Sequence, residues 1–521
     1  MTMEKAERPV LMPMTLKQVA QAVHGRITPA AAKGGLDLPI ANVTTDSRQV
    51  GPGSLFVAIA GERVDGHRFL GQAAEQGAIG ALVSEEQADA DLPQVVVEDT
   101  VQALGQLAAS NVERRRALDA PFTLVAITGS VGKTTTKDLL AAMLAKLGPT
   151  VAPVGSFNNE IGLPLTALRV GPDTRYLVAE MGASQVGDIA YLTSIAPPDI
   201  AVVLKVGVAH LGVFGSVERI AQAKSELVRG LRPHGLAVLN ADDERVAAMA
   251  QLAPGRVLRF GLGGAERPDD PGLDMTARDI TTDDLDRPSF QLEARGERPV
   301  AASLALSGEH NVMNALAAAC VAHELGLPLE DISASLSAQG RRSPHRMAVS
   351  QVEEDGARFT LIDDSFNANP DSMSAGLRAL ASWKEPTGGQ DGAAQAEPYR
   401  VAVLGGMLEL GEGTMDLHRQ VGALCVSLGL DALVAVGGER GQLTDMAGAM
   451  VEGARRASAA QGSKHAGMRL FQAPDTGQAD RFVRDLASGH PGCVVLLKGS
   501  HMSGLDALAE RWQSGRFGEQ Q

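Results

Sequence analysis

The sequence feature that most restricts the fold is a glycine-rich turn between a buried strand and an amphipathic helix. The run FTLVAITG (122–129) is continuously apolar and β-branched, which is typical of a strand buried on both faces. A helix is predicted from about Lys133, and Gly148 and Pro149 end it. One face of this helix is apolar and carries Leu139, Leu140, Met143, Leu144 and Leu147. Strands alternating with helices in this way predict a largely parallel α/β sheet.

The turn itself, TGSVGKTTT (128–136), has the composition of a phosphate-binding loop. Backbone N–H groups at a helix N-terminus attract phosphate oxygens, Lys133 can reach the β- and γ-phosphates, and Thr134 can place its hydroxyl on Mg²⁺. The spacing departs from the commonest pattern, because Ile127 rather than a glycine lies five residues before Gly132. An ordinary turn is the alternative, and Gly-Lys-Thr in this context argues against it. We therefore expect a phosphate-binding loop made of Gly129, Ser130, Val131, Gly132, Lys133, Thr134 and Thr135, which would hold ATP if the nucleotide is a triphosphate.

Further apolar runs predict strands along the rest of the chain. They are 54–61, 78–84, 94–99, 175–181, 199–206, 235–241, 358–364, 400–406, 431–438 and 493–500. Three segments are predicted to lie outside the sheets: the charged run 111–121 as a linker, the Asp- and Pro-rich segment 265–290 as a surface excursion, and the low-complexity segment 385–398 as a mobile loop.

The length of 521 residues suggests about three domains. We expect an α/β protein with boundaries near residues 117 and 344. The predicted parts are a smaller N-terminal α/β domain (1–117), a central P-loop-type domain with helices on both faces of a mostly parallel sheet (118–343), and a Rossmann-like C-terminal domain (344–521).

Composition excludes several classes of function. The chain has 47 Lys and Arg against 62 Asp and Glu, a net charge of −15, and 3% aromatic residues. This argues against a nucleic-acid binder, which usually carries a basic face or a stacking platform. No apolar run approaches the ~18 residues of a membrane span, and the N-terminal segment lacks the apolar core of a secretion signal. The three cysteines (Cys320, Cys425 and Cys493) have neither metal-ligand nor redox spacing, so we expect a cytoplasmic protein with reduced thiols.

Two side chains near strand ends are candidate metal ligands. Glu180 ends the strand 175–181, and the carboxyl ends of parallel strands border the crevice where ligands bind. The alternative for Glu180 is a carboxylate in solvent. His210 follows the strand 199–206. Alone it would more often be a packed histidine, and its place after the strand that follows Glu180 favours a functional role.

Lys224 lies on the apolar side of a predicted helix, VERIAQAKSELVRG (217–230), between Ile220 and Val228. The simpler interpretation is a lysine whose ammonium reaches water at the end of its apolar stem. The functional interpretation is a buried amine with a lowered pKa, which could react with CO₂ to give a metal-binding carbamate. Periodicity alone favours the simpler interpretation.

Polar side chains in the second half of the chain are further candidates. Asn311 and Asn314 lie three residues apart at the start of a helix, where they could contact an adenine edge or simply cap the helix. A helix cap followed by proline explains Asn369, but it does not explain the strand-end pair Asp363 and Asp364. The strand-end Lys498 could contact an anion or be solvated.

These segments together resemble the Mur ligase family over nearly the whole chain. The segment 44–78 resembles the family's first domain, which holds the UDP-sugar. The segments 128–136, 156–166, 179–184 and 209–226 resemble the central ATPase, and 363–373 and 404–418 resemble the last domain. SFNNEIGLPLT (156–166) and NANPDSM (367–373) are similar to the member that adds D-alanyl-D-alanine. The chain lacks the DNPR-type motif of the diaminopimelate-adding relatives.

The resemblance implies roles for individual residues. It implies that Lys224 is carbamylated and holds Mg²⁺, two ions in all, together with Thr134, Glu180 and His210, and that Lys133, Lys224, His210 and Glu180 are catalytic. It places Asn311, Asn314 and Arg346 near the nucleotide. The implied substrate-binding residues are Thr45, Ser47, Arg48, Asp65, Asn158, Asn159, Asp364, Asn367 and Lys498. Two positions depart from the family, which usually has Tyr at Phe366 and Asp at Gly406.

The implied reaction joins D-alanyl-D-alanine to UDP-N-acetylmuramoyl-tripeptide through an acyl phosphate, with ATP becoming ADP and phosphate. This would be a step of peptidoglycan synthesis, and so of cell wall formation, cell shape and division, carried out by a monomer. One alternative is the related ligase that adds the third residue of the peptide. Another is a regulatory ATPase that does not ligate. The sequence leaves open whether the tripeptide ends in lysine or diaminopimelate.

Overall fold

The chain folds into three α/β units, each built on its own sheet. The computed structural model describes residues 11–28, 36–61, 64–207, 211–262, 272–283, 286–338, 345–354, 356–383, 397–438, 441–461 and 467–514. The predicted fold class is confirmed. In the described part of the chain, no helix is both long and apolar enough to cross a membrane.

The N-terminal unit has a small sheet with the strand order β1-β5-β4-β3-β2, in which β1 alone is antiparallel. Short 3₁₀-helices, Ser47–Gln49 and Gly66–Phe69, follow β2 and β3. Its elements are α1 (Leu16–Ala22), β1 (Arg26–Ile27), β2 (Asn42–Thr44), β3 (Ser54–Val57), α2 (Leu70–Glu75), β4 (Gly80–Val83), β5 (Gln94–Val96) and α3 (Thr100–Arg116).

The central unit has a sheet with the order β14-β13-β12-β11-β10-β9-β6-β8-β7, parallel from β7 to β12 and antiparallel at β13 and β14. Its strands are β6 (Thr123–Thr128), β7 (Thr150–Val151), β8 (Tyr176–Glu180), β9 (Ile200–Val203), β10 (Leu236–Asn240), β11 (Val257–Leu262), β12 (Met275–Thr282), β13 (Pro288–Ala294) and β14 (Val300–Ser303). Its helices are α4 (Lys133–Ala145), α5 (Gly162–Ala167), α6 (Asp188–Ile195), α7 (Leu211–Phe214), α8 (Val217–Arg229), α9 (Glu244–Ala247), α10 (Asn311–Glu324) and α11 (Leu329–Ala338).

Successive side chains of β6 enter different cores, as strand geometry requires. Leu124 and Ala126 face the core formed with α3, α5, α6 and α8, whereas Val125 and Ile127 face the core formed with α4, α10 and α11. Both faces of the sheet are therefore covered by helices. This explains why the strand sequence is apolar without alternation.

The C-terminal unit has the order β15-β16-β20-β17-β18-β19, in which β15 alone is antiparallel. Its strands are β15 (Ala348–Glu354), β16 (Ala357–Asp364), β17 (Arg400–Leu404), β18 (Ala432–Val436), β19 (Arg469–Ala473) and β20 (Cys493–Lys498). Its helices are α12 (Pro370–Ser382), α13 (Thr414–Ser427), α14 (Gly441–Gln461), α15 (Thr476–Gly489) and α16 (Leu505–Ser514). Two cores of its own lie on the two faces of this sheet.

The prediction of a linker over 111–121 is wrong, because residues up to Arg116 form the last turns of α3. Polar residues of this part of α3 form buried hydrogen bonds to the neighbouring backbone. Buried Asn111 accepts a hydrogen bond from the Met12 N–H at 3.1 Å and donates to the Val170 carbonyl at 2.9 Å. Buried Arg115 donates to the Thr174 carbonyl at 2.8 Å. Helix α3 thus joins the N-terminal and central units in one continuous core.

The prediction of a surface excursion over 265–290 is also wrong where the structure describes it. Strand β12 lies within it, and its Met275 and Ala277 are buried in the core beneath α10. The apolar residues that face the core are few, and the charged residues on the exposed side of the strand hide the alternating pattern in the sequence. The segment 385–398, predicted as a mobile loop, lies almost entirely outside the described residues, as does the predicted boundary at 344.

Candidate active site

The phosphate loop lies between β6 and α4, where the sequence predicts it. Gly132 caps α4 with φ +85°, a left-handed conformation that favours glycine. A Cβ there would lie 2.1 Å from Asn314 Oδ1, so a side chain would not fit. The Ser130 N–H donates to the Lys205 carbonyl at 2.8 Å, and Ser130 Oγ accepts from the Gly207 N–H at 2.9 Å. The loop is therefore fixed to the segment that follows β9.

Lys133 folds back over its own loop, and its Nζ donates to the Gly129 carbonyl at 2.8 Å. Burial lowers the pKa of Lys133, the Glu180 carboxylate opposes that shift, and the Arg346 guanidinium adds to it. Three charged groups are thus concentrated at the N-terminus of α4.

A polar network joins the start of α4 to the end of β8. Thr134 Oγ1 donates to Glu180 Oε2 at 3.0 Å, and Asn158 Nδ2 donates to Glu180 Oε1 at 2.7 Å. Thr134 Oγ1 also lies 2.7 Å from Ser156 Oγ. Glu180 is 1% exposed, so this carboxylate is buried but satisfied.

The C-terminal unit contributes to the same network. The Arg346 Nη2 donates to Ser156 Oγ at 3.1 Å, and the guanidinium stands 4.4 Å from the centroid of the Phe366 ring. Phe366, which replaces the family's tyrosine, thus supports Arg346 with its ring face, a contact that requires no hydroxyl.

Lys224 projects from α8 into the cavity and is 4% exposed. It makes no hydrogen bond or ion pair with another described residue. Burial, and secondarily the charge of Lys133, lower its pKa to about 7. Because only 4% of Lys224 is exposed, its amine does not extend along the protein surface into bulk solvent, as the simpler interpretation would require.

These groups line one cavity of about 1080 Å³ between the units. The predicted site residues that line it are Gly129, Ser130, Val131, Gly132, Lys133, Thr134, Thr135, Asn158, Asn159, Glu180, Lys224, Arg346 and Asn367. His210 lies outside the described residues. Within the described ranges, no three His, Cys, Asp or Glu side chains are arranged to hold a metal ion.

Several predicted site residues do not line this cavity. Asn311 and Asn314 are buried; Asn314 Nδ2 donates to Asn311 Oδ1 at 2.9 Å, and Asn311 Nδ2 donates to the Ser307 carbonyl at 2.7 Å. Lys498 and Asp364 form a buried ion pair with each other, since their strands are adjacent and in register. In this structure these four residues support the walls of the site.

The predicted sugar-binding residues lie at the carboxyl ends of β2 and β3, away from the cavity. The Asp46 carboxylate caps the 3₁₀-helix and accepts two hydrogen bonds from the exposed guanidinium of Arg48, at 2.9 and 2.8 Å. Asp65 accepts from the His67 ring at 2.6 Å. Thr45 and Ser47 flank Asp46 in the same turn.

The central and C-terminal units meet along a close seam beside the cavity. The Gly212 N–H of α7 donates to the Glu409 carbonyl at 3.0 Å, and a Cβ on Gly212 would lie 2.0 Å from the nitrogen of Gly411. Nearby, Lys205 Nζ lies 3.7 Å from Asp371 Oδ1 at the start of α12. Glycine is therefore required at 212 for this approach of the two backbones.

Three observations about the site go beyond the sequence-based prediction. Ser156 bridges the phosphate loop and Arg346, and it opens SFNNEIGLPLT, a segment that resembled the family and could have revealed it. Glu409 lines the cavity with φ +62°, which no sequence signal indicates. At Gly406, a Cβ would lie 2.7 Å from Met446 Sδ, so the family's aspartate would require the Met446 side chain to shift.

Comparison with known proteins agrees with this geometry. Three family models match the chain: "Mur ligase family, catalytic domain" at residues 39–111, "Mur ligase middle domain" at 127–322, and "Mur ligase, glutamate ligase domain" at 345–501. The chain belongs to the Mur ligase family. This Mur ligase is 41% identical over 524 residues to UDP-N-acetylmuramoyl-tripeptide–D-alanyl-D-alanine ligase of Mycobacterium tuberculosis, covering 96% of the chain and 98% of that protein.

More distant relatives and solved structures agree. The Escherichia coli protein of the same name is 36% identical over 435 residues, covering 82% of this Mur ligase and 86% of that protein. The crystal structure of MurF from Acinetobacter baumannii superposes with a TM-score of 0.78 at 32% identity, covering 97% and 100% of the two chains. MurF ligase from Thermotoga maritima in complex with ADP gives a TM-score of 0.70 at 28% identity, covering 91% and 97%.

Proposed function

We propose that this Mur ligase joins D-alanyl-D-alanine to UDP-N-acetylmuramoyl-tripeptide at the expense of ATP. A carboxylate is a poor electrophile, so the terminal carboxylate of the tripeptide attacks the γ-phosphorus and ADP leaves. The dipeptide amine then attacks the acyl carbon of the acyl phosphate, loses its proton, and phosphate leaves. The product is the UDP-muramoyl-pentapeptide precursor of peptidoglycan.

The observation that carries the proposal is one cavity to which all three units contribute, the N-terminal unit through α3. Ser156 connects Thr134 of the phosphate loop with Arg346 of the C-terminal unit, and Lys133 lines the same cavity. A carboxylate approaching a γ-phosphate collects several negative charges, and Lys133 and Arg346 supply fixed positive charges where they accumulate. Closure of the units around the bound substrates would exclude water, which would otherwise hydrolyse the acyl phosphate.

Two oxygen atoms, one at the start of α4 and one at the end of β8, fit a magnesium ion. Mg²⁺ prefers hard oxygen ligands and is usually held by one or two carboxylates together with substrate phosphates. Thr134 Oγ1 and Glu180 Oε2, 3.0 Å apart, offer such a pair beside the phosphate loop. When bound, Mg²⁺ would neutralise phosphate charge and polarise the phosphoryl group.

We propose that Lys224 is carbamylated and, with His210, completes a second magnesium site. An amine with a pKa near 7 is largely neutral at slightly alkaline pH and so can react with CO₂. An ammonium at this buried position would repel Mg²⁺, whereas a carbamate converts the cation into an oxygen ligand.

We further propose that residues 1–117 hold the UDP end of the donor, residues 118–343 bind ATP, and residues 344–521 complete the ligase site. The exposed Arg48 and the turn around Thr45 lie at the carboxyl ends of parallel strands, which is where α/β sheets bind ligands. An arginine there suits a diphosphate.

The test is the substrate dependence of phosphate release from ATP by the whole chain. Release should require both UDP-N-acetylmuramoyl-tripeptide and D-alanyl-D-alanine, with pentapeptide formed in equal amount. Ligation of a single amino acid to a shorter donor would instead identify the relative that acts one step earlier. Phosphate release without either peptide substrate would identify a regulatory ATPase and overturn the proposal.

A further inference from the structure

Four carboxylates line the cavity in the described part of the chain: Glu160, Glu180, Asp188 and Glu409. Glu180 accepts hydrogen bonds from two side chains, and Asp188 accepts from the Ser184 and Gln185 N–H groups at 2.8 and 3.0 Å. Glu409 also has an interaction partner. The exposed Glu160 makes no hydrogen bond or ion pair with any other described residue.

The backbone on both sides of Glu160 is held in place. Asn158 donates to Glu180 at 2.7 Å, and its carbonyl accepts from the Gly182 N–H at 2.8 Å. Asn159 Oδ1 accepts from the Gly162 N–H at 2.9 Å at the start of α5. Glu160 therefore presents an unpaired carboxylate to the cavity from a fixed turn, whereas a carboxylate on a loose loop would have no defined position.

Two basic side chains, Lys133 and Arg346, stand at the phosphate-loop end of the cavity. Tyr191, on the wall formed by α3 and α6, feels the negative charge of Glu160; burial first, and then the charges of Asp99 and Glu160, raise the pKa of Tyr191. A ligand that contacts both groups carries a carboxylate or phosphate toward Lys133 and Arg346 and a cation toward Glu160.

We propose that Glu160 binds the side-chain ammonium of the third residue of the tripeptide. The inference rests on the proposed function and adds a specificity determinant to it. Of the two expected third residues, lysine ends its side chain in an ammonium alone, and diaminopimelate in an ammonium beside a carboxylate. In both, the ammonium can pair with Glu160 while the reacting carboxylate of the same residue lies at the phosphate loop. The D-alanyl-D-alanine amine is the other ammonium available. It must reach the acyl carbon as a free base, so a carboxylate that kept it protonated away from that carbon would oppose the reaction.

The test compares two donors, UDP-N-acetylmuramoyl-tripeptide ending in lysine and the same donor ending in norleucine, which lacks the amine. Steady-state KM and kcat are measured for wild type, Glu160→Gln and the control Glu330→Gln, an exposed residue of α11 outside the cavity. Glu160→Gln conserves shape, so folding should be unaffected. In wild type and in the control, KM for the lysine donor should be about five- to tenfold below that for the norleucine donor. In Glu160→Gln the two donors should become equivalent.

Each outcome has a distinct meaning. If Glu160→Gln keeps the wild-type preference for the lysine donor, the assignment of Glu160 is wrong while the ligase function stands. If it instead raises KM for D-alanyl-D-alanine with both donors, Glu160 binds the acceptor amine and the proposal is overturned. If wild type ligates neither donor, the proposed function itself fails.

Discussion

The seam between the central and C-terminal units predicts the effect of one added methyl group. In Gly212→Ala the new Cβ would lie 2.0 Å from the Gly411 nitrogen and 2.6 Å from the Leu410 carbonyl carbon. Ordinary contact begins at 3.4 Å, so the clash with Gly411 is about 1.4 Å deep. These are backbone atoms and no rotamer change relieves the overlap. The two units must therefore separate.

The loss of activity expected for Gly212→Ala follows from this separation of the two units. Arg346 and Glu409 belong to the unit that moves, and a misplacement of about 1 Å in a reacting geometry costs roughly a hundredfold in rate. We therefore expect kcat/KM of Gly212→Ala to fall by about a hundredfold, or about 2.7 kcal/mol. The melting temperature should change little, because the clash is relieved by opening of the seam and alanine suits the helix α7.

The assay is pentapeptide formation at saturating ATP, with thermal unfolding measured on the same samples. Gly71→Ala is the matched control, since a Cβ at Gly71 in α2 meets no atom within 4 Å. The control should keep wild-type activity. If Gly212→Ala retains activity within twofold of the control, the close approach at Gly212 is not part of the active arrangement, and the reasoning from this seam is refuted.

Other predictions concern single side chains. Lys133→Ala should lower kcat by at least about a thousandfold with an unchanged melting temperature, and near-normal turnover at saturating ATP would contradict its role. ¹³C-bicarbonate should give a carbamate NMR signal in wild type that Lys224→Ala lacks; its absence in both would refute carbamylation. Ser47→Ala with Arg48→Ala should weaken binding of the UDP-tripeptide, measured by calorimetry, but not of ATP. Burial, and then the charges of Glu309 and Asp283, raise the pKa of Asp286 to about 6. Between about pH 4 and 6 the native state therefore holds a proton on Asp286 that the unfolded state has lost. The free energy of unfolding falls as the pH rises through that range. Asp286→Asn should therefore stabilise the chain by up to about 1 kcal/mol at pH 7.5 in urea unfolding and not at all near pH 4.

The fold was predictable wherever local pattern and burial agree. Strand β6 is apolar on both faces because helices cover both, and the sequence records this directly. Helix α3 was missed because its arginines are engaged by backbone carbonyls distant in sequence, such as Thr174. Strand β12 was missed because only its inward residues are apolar. Charged residues satisfied by tertiary partners cannot be distinguished from solvated ones by pattern alone.

The site was predictable to the extent that its chemistry is local. The phosphate loop needs consecutive residues, so Lys133 and Thr134 could be assigned from one segment. The helical periodicity identified Lys224 as a residue on the apolar face of α8. Whether its amine is buried depends on the elements that cover this face, and the periodicity does not reveal them. The pairing of Lys498 with Asp364 depends on the register of β16 and β20, which no local pattern encodes. Glu160 could be recognised as unpaired only by comparison with the other carboxylates of the cavity, whose hydrogen-bond partners are set by the tertiary structure.

The core shared through α3 fixes the distance between the two ends of the donor. Leu104 and Leu107 of this helix pack in the same core as Leu124 of β6, while the C-terminal unit keeps separate cores. We therefore expect the N-terminal unit, which we propose holds the UDP group, to keep its position relative to the phosphate loop when the C-terminal unit changes its position. The fixed distance between the two units would then select the donor by the length of its peptide. If the N-terminal unit holds the UDP group as proposed, we expect donors whose peptide is shorter or longer than three residues to be ligated poorly, because their terminal carboxylate would not lie at the loop.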